Sequence, residues 1–200
     1  MERRVPYLVK AAHRQSAGVL VVGIDPGEVT GVAAWDVGGQ SFVHAGSGSF
    51  FEVLGLLDKH VAATPPAEVH RPEPVEGWSV GLVVVEDARR LPIYASRDGV
   101  RGRRRDRLCR DVGRIDRDVQ LWVDWLRARG LPVRLAEPLR GGKWDAATLA
   151  RLSGWTEPTN QHARDAARLV FGTTARHLET WGGVLSPTKD DAPGEAEGVS

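Results

Sequence analysis

Residues 18–27 read GVLVVGIDPG, an apolar run that ends in a carboxylate and a turn. So uniformly apolar a run predicts a central strand that is covered on both faces. Asp25 would then lie at the mouth of a buried strand, where a carboxylate loses hydration and stays charged only beside a compensating cation. Because Asp-Pro-Gly is also a common turn sequence, a purely structural Asp25 is the alternative.

The chain repeats this arrangement once, in LVVVED at residues 82–87. Glutamate is poorly suited to strands and is rarely buried unpaired, which makes Glu86 a second candidate for a functional carboxylate. Asp87 competes with it, since strand alternation cannot decide between two residues at a strand end.

A third segment, NQHARDAA at residues 160–167, predicts the start of a late helix. His162 and Asp165 are three residues apart in its first turn and therefore lie on one side. Taken alone, Asp165 could simply favour the positive end of its helix, and His162 could be a surface histidine.

Asp25, Glu86, His162 and Asp165 together indicate a divalent-metal site. Two hard cations about 3.5–4 Å apart, held by carboxylates, can activate a water and stabilise the departing oxygen in phosphodiester cleavage. Magnesium suits such oxygen-rich sites, and a histidine ligand makes manganese plausible as well. The set therefore predicts a metal-dependent nuclease that uses Mg²⁺ or Mn²⁺, with two ions.

The order of predicted elements is a strand, a hairpin, a helix, a strand, a long helix, a strand and two helices. This order predicts an α/β architecture, a mixed sheet covered by helices. The long helix is expected over about residues 103–129 and the last helix over about 160–178. Residues 1–17 are expected to form a polar lead-in, 18–181 the single domain, and 182–200 a mobile acidic tail.

Composition and charge limit the class of protein and the compartment that the sequence predicts. No apolar stretch approaches the roughly 20 residues of a membrane span, and no secretory signal is evident. Cys109 is the only cysteine, which excludes an internal disulfide and a thiolate metal cluster and favours the cytoplasm. The net charge is +1, but residues 97–117 hold nine arginines against four aspartates. Local charge of this kind favours contact with a polyanion.

Four motifs in this order resemble those of RuvC-type Holliday junction resolvases. They are GIDPG at residues 23–27 with TGVA at 30–33, VVVE at 83–86, VGR at 112–114 and HARDA at 162–166. The resemblance implies a ribonuclease H-like mixed five-stranded sheet, a homodimer, and paired nicks in branched DNA with Mg²⁺ or Mn²⁺.

The same resemblance assigns roles to residues. Asp25, Glu86, His162 and Asp165 would be the metal ligands, and Lys143 would match a lysine that contacts the scissile phosphate. The alternative for Lys143 is an ordinary exposed lysine. The arginine-rich stretch after Glu86 is longer than in bacterial members and the stretch before His162 is shorter, which is typical of phage-encoded relatives and implies the host cytoplasm.

DNA contacts are expected from the arginine-rich loop and the helix after it. The candidates are Arg101, Arg103, Arg104, Arg105 and Arg107, with Tyr94 as an aromatic that could stack at an opened junction. The arginine face could equally be solvated, and Tyr94 could be a loop anchor. Trp122 is expected in the core, and Trp125 with Leu121 at a dimer contact.

Three other functions compete with junction cleavage. A nucleotide-binding phosphotransferase shares the first motif but usually needs two such domains, for which the chain is too short. A non-catalytic DNA-binding module would be expected to lose its acidic set. A flap or debranching nuclease of the same fold differs only in substrate.

Overall fold

The computed structural model describes residues 19–61, 79–90 and 103–182. Its elements, in chain order, are β1 Val19–Asp25, β2 Thr30–Asp36, β3 Ser41–Gly48, α1 Phe50–Val61, β4 Ser79–Glu86, α2 Arg103–Ala128, β5 Val133–Ala136, α3 Ala146–Ser153, α4 Gln161–Val170 and α5 Ala175–Gly182. A short 3₁₀ turn, Ala88–Arg90, follows β4. Among these described helices, none is both long and apolar enough to cross a membrane.

The strands form one sheet in the order β3-β2-β1-β4-β5. β2 is antiparallel to β1 and β3, whereas β4 is parallel to β1 and β5 is parallel to β4. The predicted α/β class, a mixed five-stranded sheet flanked by helices, is therefore confirmed. β1 lies at the centre, as its uniformly apolar sequence predicts, and its residues from Leu20 to Ile24 are buried.

Helices cover both faces of the sheet and create two layers of core. α1 and the C-terminal half of α2 pack on one face, where Trp122 and Leu126 are fully buried. α3, α4 and α5 contribute to the core on the other face, through residues such as Leu149 and Val170. Trp122 is a core residue, as expected, but the predicted apolar stripe of α2 is only partly buried at Ile115.

α4 lies unusually close to the sheet. Its inner face consists of Ala163, Ala166, Ala167 and Val170, which are all fully buried. Glycines face it from the strands: a Cβ on Gly23 would overlap the carbonyl oxygen of Ala166. Gly31 likewise leaves room for the main chain of His162, so small residues on both surfaces bring the start of α4 against β1 and β2.

One predicted helix boundary is wrong. The helix expected over residues 160–178 is two helices, α4 and α5, because Gly172 adopts a left-handed conformation with φ of 73° and interrupts it. The long helix predicted over about residues 103–129 is α2, so Arg103, Arg104 and Arg105 lie in its first turn and not in the arginine-rich loop before it. Arginine is a good helix former, which favours a helix that begins at Arg103.

Candidate active site

Asp25 and Glu86 end neighbouring parallel strands. Ile24 pairs with Val85, so the next residues on β1 and β4 lie side by side. The pKa of Asp25 is raised, because the effect of burial outweighs the hydrogen bonds with His162 and Glu86 that lower it. Burial, followed by the charge of Asp25, raises the pKa of Glu86 to about 8. Ionising both of these neighbouring carboxyls is therefore unfavourable.

α4 packs on the sheet face opposite to α1 and α2, and its first turn brings His162 to Asp25. Asn160 caps the helix, since its side-chain oxygen accepts a hydrogen bond of 3.0 Å from the amide of Ala163. Nδ1 of His162 lies 2.9 Å from Oδ2 of Asp25. The side chain of Asp25 is 15% exposed and that of His162 is 48% exposed, so the imidazole connects a nearly buried carboxyl with solvent.

Asp165 lies one turn further along α4 and is held from two sides. Nε2 of Gln161 donates to its Oδ1 at 2.8 Å, and Nζ of Lys143 donates to its Oδ2 at 3.0 Å. The Lys143 side chain is 68% exposed, but its ion pair places it at the site. The charge of Asp165 also contributes to the raised pKa values of Asp25 and Glu86, which shows that the acidic groups interact.

Arg164 is a functional candidate that the sequence reasoning missed. Its Nε donates to the carbonyl of Trp144 at 2.9 Å, and its Nη1 donates to the carbonyl of Thr159 at 2.6 Å. These bonds tie α4 to the loop that carries Lys143. No sequence signal could have found this role, because the backbone partner beside Lys143 is 20 residues away and carries no motif.

Asp87 is separated from the site by its own ion pairs. Its side chain accepts from Nε of Arg89 at 2.5 Å and from Nε of Arg90 at 3.3 Å, both on the 3₁₀ turn. Burial would raise the pKa of Asp87, but hydrogen bonding and the charge of Arg89 outweigh it and lower the pKa. Asp87 is thus compensated by neighbouring arginines, and the choice of Glu86 as the functional carboxylate stays a prediction.

The donors fit a hard divalent cation by their chemistry. Three carboxyls and an imidazole supply oxygen and nitrogen ligands. Burial and the charge of Asp25 raise the pKa of Glu86, and a nearby cation would offset both effects. Their positions are not those of a formed site: in the described part of the chain, no group of three or more His, Cys, Asp or Glu is arranged to hold a metal. A cation would have to displace the His162–Asp25 and Lys143–Asp165 contacts.

The other predicted contact residues remain predictions. Tyr94 and Arg101 lie outside the described residues. The first turns of α2 carry Arg103, Arg104, Arg105 and Arg107, and their side chains also fall outside the described part. Trp125 packs against Trp122 in a T-shaped contact with ring centroids 6.1 Å apart, while Leu121 is 40% exposed.

Comparison with known proteins gives one likeness of note. No family model and no curated protein matches the chain. Among solved structures, the chain is similar to T. thermophilus RuvC in complex with a Holliday junction substrate, at 20% identity and a TM-score of 0.43. The match covers 83% of this chain and 95% of that one. A likeness of this size carries no argument about activity.

Proposed function

We propose that the chain is a metal-dependent, structure-specific DNA endonuclease that cleaves Holliday junctions or other branched DNA. The observation that carries this proposal is the meeting of three distant segments. The ends of β1 and β4 and the first turn of α4 bring Asp25, Glu86, His162 and Asp165 together. Carboxyls that repel one another in a partly buried place are typical of catalytic and cation sites.

Two ions of Mg²⁺ or Mn²⁺ would be held by Asp25, Glu86, His162 and Asp165. Such ions would activate an attacking water and would stabilise the departing oxygen of the phosphodiester. The chain's own residues orient these groups. Gln161 holds the carboxyl of Asp165 at 2.8 Å, and His162 lies 2.9 Å from the carboxyl of Asp25, a contact that it would exchange for the ion.

Lys143 is proposed to contact the scissile phosphate. Its ammonium group lies 3.0 Å from Asp165 and most of the side chain is exposed, so it can exchange a carboxylate for a phosphate oxygen. Arg164 is proposed to position Lys143 through the carbonyl of Trp144. Both residues would help to hold the scissile phosphate close to the carboxyls of the candidate active site.

A cleavage panel tests the proposal. Labelled four-way junction, fork, flap and linear duplex are incubated with the chain and Mg²⁺ or Mn²⁺, with chelator and Asp25→Asn as controls. We expect cleavage of branched substrates that chelator abolishes and added metal restores. Preference for the flap would favour a flap or debranching nuclease, and DNA binding without cleavage would favour a non-catalytic module. Cleavage that is indifferent to chelator would contradict the metal.

A further inference from the structure

A groove at one edge of the sheet lies outside the candidate active site. It has a volume of about 500 Å³ and lies between α2, the edge strand β5 and α5. Its polar lining consists of Arg90, Arg127, Arg134, Thr180 and Trp181, above apolar side chains of α2 and β5. We call it the arginine groove. Its volume is in the range that holds a small ligand or a segment of a chain.

Two of its arginines have no partner of opposite charge among the residues that the structure describes. In the described ranges, neither Arg127 nor Arg134 lies within ion-pair distance of a carboxylate. Arg90 is partly neutralised, by Asp87 and, at 3.8 Å, by the exposed Glu137. Three guanidinium groups around one groove therefore leave a positive surface that an anion would complement.

Trp181 holds one of these cations in place. The guanidinium carbon of Arg134 lies 4.0 Å from the centroid of the Trp181 ring, and His177 stacks against the same indole at 5.2 Å. Burial lowers the pKa of Arg134, which shows that its guanidinium is partly removed from water. A cation that is fixed on an aromatic ring and partly desolvated is prepared for an anionic ligand.

The groove begins next to the candidate active site. Arg90 is four residues after Glu86, on the turn that follows β4. Glu86 pairs with Ala136, and Arg134 precedes Ala136 by two residues on the same edge strand. A polyanion bound at Glu86 can therefore continue along β5 over these arginines.

We propose that the arginine groove binds backbone phosphates of a nucleic-acid strand that leaves the candidate active site. This inference rests on the proposed function, because that function supplies the strand. The groove would act in positioning: it would contact the strand away from the bond that is cleaved, and it would contribute affinity that does not depend on base sequence.

Binding, measured apart from cleavage, tests the inference. Anisotropy of a fluorescein-labelled four-way junction is followed in chelator with the full chain and the Arg127→Glu, Arg134→Glu double variant. At roughly 0.1 M salt we expect the double variant to bind about tenfold more weakly. The plot of log affinity against log salt should become less steep by about two, because each arginine accounts for one phosphate contact.

Two further variants keep the result interpretable. Arg127 is exposed, so Arg127→Glu alone should fold normally and show part of the loss. Arg151 is an exposed arginine of α3 outside the groove, and Arg151→Glu is the matched charge reversal, expected to bind like the original chain within about twofold. Circular dichroism and thermal melting check the fold of each variant.

Several outcomes would overturn the inference. These are unchanged or tighter binding by the folded double variant, an equal loss with Arg151→Glu, or no DNA binding by the original chain. A melting shift with inorganic phosphate that depends on both arginines, with DNA affinity unchanged, would assign the groove to a free phosphate ligand instead. Cleavage is scored separately: a groove that binds DNA on a chain that never cleaves keeps this inference and removes the proposed nuclease.

Discussion

Glu86 and Asp87 are neighbours in sequence, yet they lie in opposite electrostatic environments. Asp87 is 3% exposed and is held by Arg89 and Arg90, and its pKa is lowered. Burial, followed by the charge of Asp25 and more weakly that of Asp165, raises the pKa of Glu86 to about 8, and the charge of Lys143 only partly offsets this rise. One strand end thus carries a carboxyl that is fully compensated within the chain beside one that is not.

The difference separates a structural acid from a functional candidate. The arginines of the 3₁₀ turn neutralise Asp87, so its charge stabilises the fold. The site around Glu86 holds three carboxyls, Asp25, Glu86 and Asp165, against one lysine and one histidine. The chain leaves part of this negative charge uncompensated, and a divalent cation would neutralise it.

The rate of cleavage should show the largest difference between substitutions of Glu86 and Asp87. Glu86→Gln keeps the size of the side chain but removes the charge, and we expect cleavage to fall by on the order of 10³-fold. Asp87→Asn, the matched change one residue away, should stay within about tenfold of the original rate. Single-turnover rates on a labelled junction with Mg²⁺ measure both. Equal losses would remove the distinction between the two acids.

The position of α4 provides the next largest effect. A Cβ at Gly31 would overlap the main-chain carbonyl of His162, so Gly31→Ala must displace the helix that carries His162 and Asp165. We expect a loss of about 3 kcal/mol in the free energy of unfolding, together with most of the cleavage. Gly55→Ala in α1 is the control, because nothing lies within 4 Å of its added Cβ. It should stabilise the protein by about 0.5–1 kcal/mol in denaturant titrations. A stable, active Gly31→Ala variant would contradict the close contact.

The two acids should also differ in the sign of their effect on stability. In chelator at pH 9, Asp87→Asn should destabilise the protein by about 2 kcal/mol, because it leaves arginines without their buried partner. Glu86→Gln should instead stabilise it by about 2 kcal/mol after allowance for solvent screening, because it removes a charge that burial and the charge of Asp25 disfavour. Urea titrations measure both, and destabilisation by Glu86→Gln would refute the repulsion.

The pH dependence sharpens the same contrast. A carboxyl with a raised pKa stabilises the fold below its unfolded pKa, and this contribution is lost as pH rises through the folded value, for Glu86 from about 4.5 to about 8. The advantage of Glu86→Gln should therefore vanish near pH 5. Asp87 has a lowered pKa, so its contribution is present above its unfolded pKa of 3.8 and is lost only as pH falls further. The deficit of Asp87→Asn should thus be equal at pH 5 and pH 9; a deficit that changes between them would contradict its ion pairs.

The sequence predicted what depends on local pattern. The apolar runs before Asp25 and Glu86 identified the two central parallel strands, and the spacing of His162 and Asp165 placed them on one side of a helix. The different environments of Glu86 and Asp87 depend on the arginines of the 3₁₀ turn, whose direction no periodicity encodes. The break at Gly172 was missed because the apolar spacing continues across it, and the bond from Arg164 to Trp144 joins segments that only the tertiary fold brings together.

Anomalous diffraction from a crystal soaked in manganese chloride tests most directly whether the four side chains form a cation site. We expect an anomalous peak bounded by Asp25, Glu86 and Asp165, with His162 turned from its contact with Asp25 toward the ion, and no such peak in an Asp25→Asn crystal. A saturating soak that leaves this position empty, with the His162–Asp25 and Lys143–Asp165 contacts intact, would contradict the account.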